Sequence, residues 1–102
     1  MNPPNESINP ARVSPVELNA EWDNNHWEER LSSITPNEYY THPSPNDLGY
    51  PKGTVTHGYW YKDADGTTIA LVHRFITPKG DYCGERKDHP QMLLIDGVPT
   101  YC

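Results

Sequence analysis

Two histidines, His57 and His73, fall in the two β-like runs of residues 55–77, VTHGYWYKDADGTTIALVHRFIT. Imidazoles facing each other across neighbouring strands can share a metal or act as acid and base. Whether these two meet depends on the turn between them. A three-residue loop of Ala64, Asp65 and Gly66, with Gly66 left-handed, fits a type I turn plus bulge. That register sets Tyr61 opposite Ile69, Tyr59 opposite Leu71, His57 opposite His73 and Val55 opposite Phe75. A two-histidine site still needs a third ligand, and none stands at a diagnostic spacing, so no metal and no cofactor is expected. The plainer reading is two half-buried histidines bonded to neighbouring tyrosines.

A second set lies in and before the polar loop YCGERKDHP, residues 82–90: Arg74, Arg86, Lys87, Asp88 and His89. A histidine or carboxylate as acid/base, with Arg or Lys to stabilise a pentavalent phosphate, is the equipment of a small ribonuclease-like enzyme. Mixed charges on an exposed turn are also ordinary and cancel one another. The two cysteines, Cys83 and Cys102, form no C-x-x-C, so no redox motif or zinc knuckle is present; two free thiols are the default, and a Cys83–Cys102 bridge tying the polar loop to the last strand is the alternative.

The third set is acidic. Glu17, Glu21, Asp23, Glu28 and Glu29 cluster around Trp22 in one short span. An acidic helix with an exposed Trp22 docks on a basic protein surface, as inhibitors and antitoxins of nucleic-acid enzymes do. A solvated outer face is the blander alternative. Tyr39 and Tyr40, in the connector that follows, are further candidates for partner contact.

The charge balance favours this last reading. The net charge is −6, and residues 1–50 carry all of it, while residues 51–102 are neutral. An acidic chain lacks the electrostatic footprint for phosphate backbones, so nucleic acid is expected only as a substrate of the enzyme alternative. No apolar run approaches the roughly 18 residues of a membrane helix. The N-terminus MNPPNESINP lacks the regions of a signal peptide, making the cytoplasm the default location. The phosphate-binding, dinucleotide, zinc-protease and nucleophile-elbow motifs are absent.

These residues must be positioned by few elements. At 102 residues the chain is one domain: a disordered or loosely docked lead over residues 1–13, then a single unit over 14–102. Ser14-Pro15-Val16-Glu17 is a capping box with proline at the first helical position, and Val13 and Leu18 stand as a hydrophobic staple. Helical periodicity puts Val16, Ala20, Trp27, Leu31 and Ile34 on one stripe, with Leu18 and Trp22 nearly opposite. One helix over 15–33 is expected, although Asn24-Asn25 is a possible interruption.

Residues 35–53, with four prolines and two glycines, read as a connector without a regular interior element. Two hairpins fill residues 54–102, the second turning at Asp96-Gly97. Pro99 marks the last strand as an edge. The expected fold is α+β: one N-terminal amphipathic helix packed on a small, mostly antiparallel sheet of about four strands.

The leading functional expectation is a small acidic protein-binding module, of inhibitor, antitoxin or immunity type, contacting a basic partner through Glu17, Glu21, Trp22, Glu28, Glu29, Tyr39 and Tyr40. The alternative is a ribonuclease-like or metal-dependent hydrolase using His57, His73, Arg74, Arg86, Asp88 and His89. A third is a subunit that forms a homodimer through a strand edge or the Trp22 side of the helix.

Overall fold

Eight elements follow one another: β1 (Ala11–Arg12), α1 (Pro15–Asn24), α2 (Trp27–Leu31), β2 (Asn37–Pro43), β3 (Val55–Lys62), β4 (Thr68–Ile76), β5 (His89–Ile95) and β6 (Val98–Tyr101). The computed structural model describes residues 9–44 and 48–102. The first eight residues of the expected lead and residues 45–47 of the connector lie outside the described residues. The fold is α+β, with one six-stranded sheet in the order β1-β6-β5-β4-β3-β2. Strands β2 to β6 form an antiparallel meander, and β1 joins β6 in parallel. No helix among the described residues is long and apolar enough to cross a membrane.

The capping box forms. Glu17 N–H donates to Ser14 Oγ at 3.1 Å, and Ser14 N–H donates to Glu17 Oε1 at 3.3 Å. These bonds satisfy backbone donors that the first helical turn leaves open. Val13 packs on the cluster that contains Leu18, as the staple requires.

The single helix over 15–33 does not form. Asn25 closes α1 through its N–H to Glu21 O, and His26 takes a left-handed conformation with φ +55° before α2 begins. That residue breaks the helical phase. The core side of α1 is therefore Leu18 and Trp22, while Val16 is 77 % exposed and Ala20 is exposed too. The core side of α2 is Trp27 and Leu31. Trp22, expected to be exposed, is 5 % exposed.

The sheet has six strands rather than four. Asn37–Pro43, inside the proline-rich connector, is the edge strand β2, where the missing N–H of Pro43 does least harm. β6 is not an edge, because β1 pairs with it at Thr100 and Tyr101; Pro99 lies outside that short ladder. β4 is central, as both of its apolar faces imply.

The turn of the β3–β4 hairpin is the expected one. Asp63 N–H bonds Thr67 O across a three-residue loop, and Gly66 has φ +82°. The register beyond it is not. Lys62 pairs with Thr68 and Tyr61 with Ala70, so Ile69 is an extra residue in β4. From that bulge onward every pairing moves by one. His57 stands opposite Arg74, and His73 opposite Gly58.

Alternation then divides the sheet. Tyr61, Ala70, Val72 and Leu93 meet Leu18, Trp22, Trp27 and Leu31 in the core beneath the helices. His57 and Arg74 belong to that side, whereas Trp60, Leu71, His73 and Phe75 belong to the other.

Candidate functional site

The left-handed turn at His26 folds α2 back against α1 and opens a cleft between them of about 430 Å³, lined by Trp22, Asp23, His26, Glu28, Glu29 and Ser32. Trp22 packs its bulk into the core, and only its small exposed remainder forms part of the cleft wall. Three carboxylates surround that wall. All are on exposed residues, in a helical half that already carries the chain's negative charge.

The neighbouring carboxylates have structural duties. Glu17 is consumed by the capping box. Glu21 accepts from Trp27 Nε1 at 2.9 Å and from Asn25 Nδ2 at 2.8 Å, which ties α1 to α2 across the turn. Asp23 accepts from both terminal nitrogens of Arg86 at 2.7 and 3.2 Å, and this hydrogen bond holds its carboxyl below the usual aspartate value. Glu28 lies 3.8 Å from Lys87 Nζ.

Beside the cleft, in a neighbouring depression that shares Trp22, Glu28 and Ser32 with it, lies a buried ion pair. Arg74 Nε donates to Asp88 Oδ1 at 2.6 Å, and Arg74 Nη2 donates to the Tyr61 hydroxyl at 3.2 Å. The guanidinium also sits 4.7 Å from the centre of the Tyr59 ring. Burial works against the Arg74 charge, but Asp88 outweighs it and holds the group above its ordinary value. Arg86 Nε donates to Asp88 O at 2.7 Å within the polar loop, which Asp23 ties to α1 and Arg74 ties to β4.

The expected catalytic residues do not come together as one set: His57 lies apart from His73 and His89, and Arg74, Arg86 and Asp88 bond one another. His57 bonds the Tyr59 hydroxyl at 3.0 Å on the helix side of the sheet. His73 bonds the Tyr40 hydroxyl on the opposite side, where His89 is its neighbour in the register. Burial, with the charges of His42 and His89, pushes His73 below the ordinary histidine value, and burial does the same to His89. His89 Nε2 is buried without a hydrogen-bond partner. Arg74, Arg86 and Asp88 are engaged in the braces above. Among the described residues no group of three or more His, Cys, Asp or Glu side chains is placed to hold a metal ion, and Cys83 and Cys102 are free.

Of the expected partner contacts, the cleft collects Trp22, Glu28 and Glu29. It leaves Glu17 and Glu21 in their structural bonds and Tyr40 across the sheet; the Tyr39 side chain lies outside what is described. His26 and Ser32 were not legible as site residues, because their place depends on the angle between two helices read as one. No family model matches the chain, no curated protein matches it, and no solved structure matches it.

Proposed function

We propose that the chain is a non-catalytic protein-binding module that takes a cationic side chain of a basic partner protein in the α1–α2 cleft. An inhibitor, antitoxin or immunity-type protein is the form of such a module. The observation that carries the reading is the convergence of Asp23, Glu28 and Glu29 on a concave wall containing Trp22. An ammonium or guanidinium there meets carboxylates beside the small exposed part of an indole already fixed by the core. Asp23 is already paired with the chain's own Arg86, so Glu28 and Glu29 are the carboxylates through which a partner's cation is held. The reading places the chain in the cytoplasm, where Cys83 and Cys102 stay unbridged.

The test is a titration of the isotopically labelled chain with short arginine-rich and lysine-rich peptides, followed by NMR. The amides of Asp23, His26, Glu28, Glu29 and Ser32 and the Trp22 indole should shift together. Shifts scattered over all acidic residues, or confined to β2, would refute the cleft as the site.

A further inference from the structure

The side of the sheet away from the helices carries an apolar row that only the observed register creates. Trp60 stands opposite Leu71, Leu71 opposite Met92, and Met92 opposite Tyr101, so the row crosses four adjacent strands. Leu94 and Pro99, paired with each other, extend it toward the β5–β6 turn. Met92 is 6 % exposed, and the other five are partly exposed. The buried apolar residues of both helices, Leu18, Trp22, Trp27 and Leu31, pack on the opposite face.

We propose that this face is where a second copy of the chain docks, sheet against sheet. Its composition is that of an interface core, with Trp, Tyr and Met present and carboxylates missing. No strand residue on this face is Asp or Glu, since Glu38 pairs with Tyr59 on the helix side and Asp88 lies with Arg74. The chain's charge of −6 is concentrated in its helical half. This is therefore the face on which two copies meet without opposing their acidic surfaces. Cations stand at the rim: Lys62 Nζ is 5.3 Å from the Trp60 ring centre, and the Arg12 guanidinium is 5.8 Å from that of Tyr101.

Two such sheets pack with their strands within about 30° of each other and about 10 Å apart. The row spans four strands, about 15 Å at ~4.8 Å between neighbours. A contact of that length and one row of side chains wide buries well under the roughly 800 Å² per partner of a stable interface. The dimer is accordingly weak and concentration-dependent. It leaves both α1–α2 clefts facing outward, so that the dimer is bivalent, yet it does not depend on what the clefts bind.

Sedimentation velocity of the full chain over a concentration series from about 5 to about 500 μM tests this. The expected mass rises from 11.6 kDa toward twice that value. Leu94→Lys and, separately, Pro99→Lys should hold the chain at the monomer mass while circular dichroism and the melting temperature stay near those of the parent. Val16→Lys, on the helix side, should leave the association unchanged. A monomer throughout the series overturns the proposal, as does a dimer that persists in folded Leu94→Lys. If the chain stays monomeric and an oligothymidylate quenches its tryptophan fluorescence, the face belongs to single-stranded nucleic acid instead.

Discussion

Arg86 reaches 63 residues back along the chain to clasp Asp23 with two hydrogen bonds, and its Nε simultaneously holds the carbonyl of Asp88. One side chain thus fixes the polar loop to the helix that forms the cleft. Asp88 is the inner end of that brace, 5 % exposed and bonded to Arg74. The loop's opposite charges are therefore partners in a network and not an idle solvated set.

Asp88→Ala should be among the more damaging single changes to stability. It leaves the Arg74 guanidinium, 17 % exposed, without its carboxylate on the core side of the sheet. Removing one member of a buried pair costs about 3–5 kcal/mol. The paired change Arg74→Met with Asp88→Leu should recover most of the loss. Urea denaturation of the three variants checks both statements, and a loss below about 1 kcal/mol for Asp88→Ala would contradict the brace.

Trp22→Ala and Val16→Glu separate the observed helix phase from the one that periodicity suggests. Trp22 is in the core, so its truncation should cost about 3–5 kcal/mol. Val16 is 77 % exposed, so Val16→Glu should change stability by no more than about 0.5 kcal/mol. Thermal unfolding of both variants decides. The opposite ranking would restore one continuous helix over 15–33.

The local signals in this chain were readable, and the long-range ones were not. Ser14 and Glu17 are three residues apart, and the sequence alone fixes the cap they make. Asp63 and Gly66 likewise define their turn. Ile69, by contrast, is an unremarkable β-branched residue, and nothing near it announces that it is extra; yet it moves His57 away from His73 and builds the Trp60–Tyr101 row. His26 is similar. A left-handed histidine costs backbone energy that tertiary packing must offset, so the helix break was visible only as an asparagine pair. β1 is two residues long and owes its existence to β6, at the other end of the chain. The α+β class and the order of the two hairpins survive all of this because they rest on patterns within single segments.

Stability should fall as the pH drops from neutrality. Burial lowers the His73 and His89 values in the folded chain, with His42 and His89 adding repulsion at His73. The unfolded chain titrates near pH 6.5, so below that value it binds protons that the folded chain still refuses. The loss therefore begins near pH 6.5 and levels off once the lowered native values are passed. Asp23, whose value is also lowered, acts only below the ordinary aspartate range and does not contribute in this window. Urea midpoints at about pH 7.5, 6.5 and 5.5 should decline, and His73→Gln with His89→Gln should flatten the decline. An unchanged slope in that variant would place the effect elsewhere.

The measurement that bears most directly on the binding cleft compares two variants of equal charge. Glu28→Gln with Glu29→Gln removes two carboxylates from the cleft, whereas Asp65→Asn with Asp81→Asn removes two from exposed turns. Each is titrated with one fluorescent arginine-rich peptide at low and at high salt. The cleft variant should bind about tenfold more weakly, a loss of about 1.4 kcal/mol, while the turn variant stays close to the parent. Equal weakening in both would mean that the peptide answers only to net charge, and the α1–α2 cleft would not be the binding site.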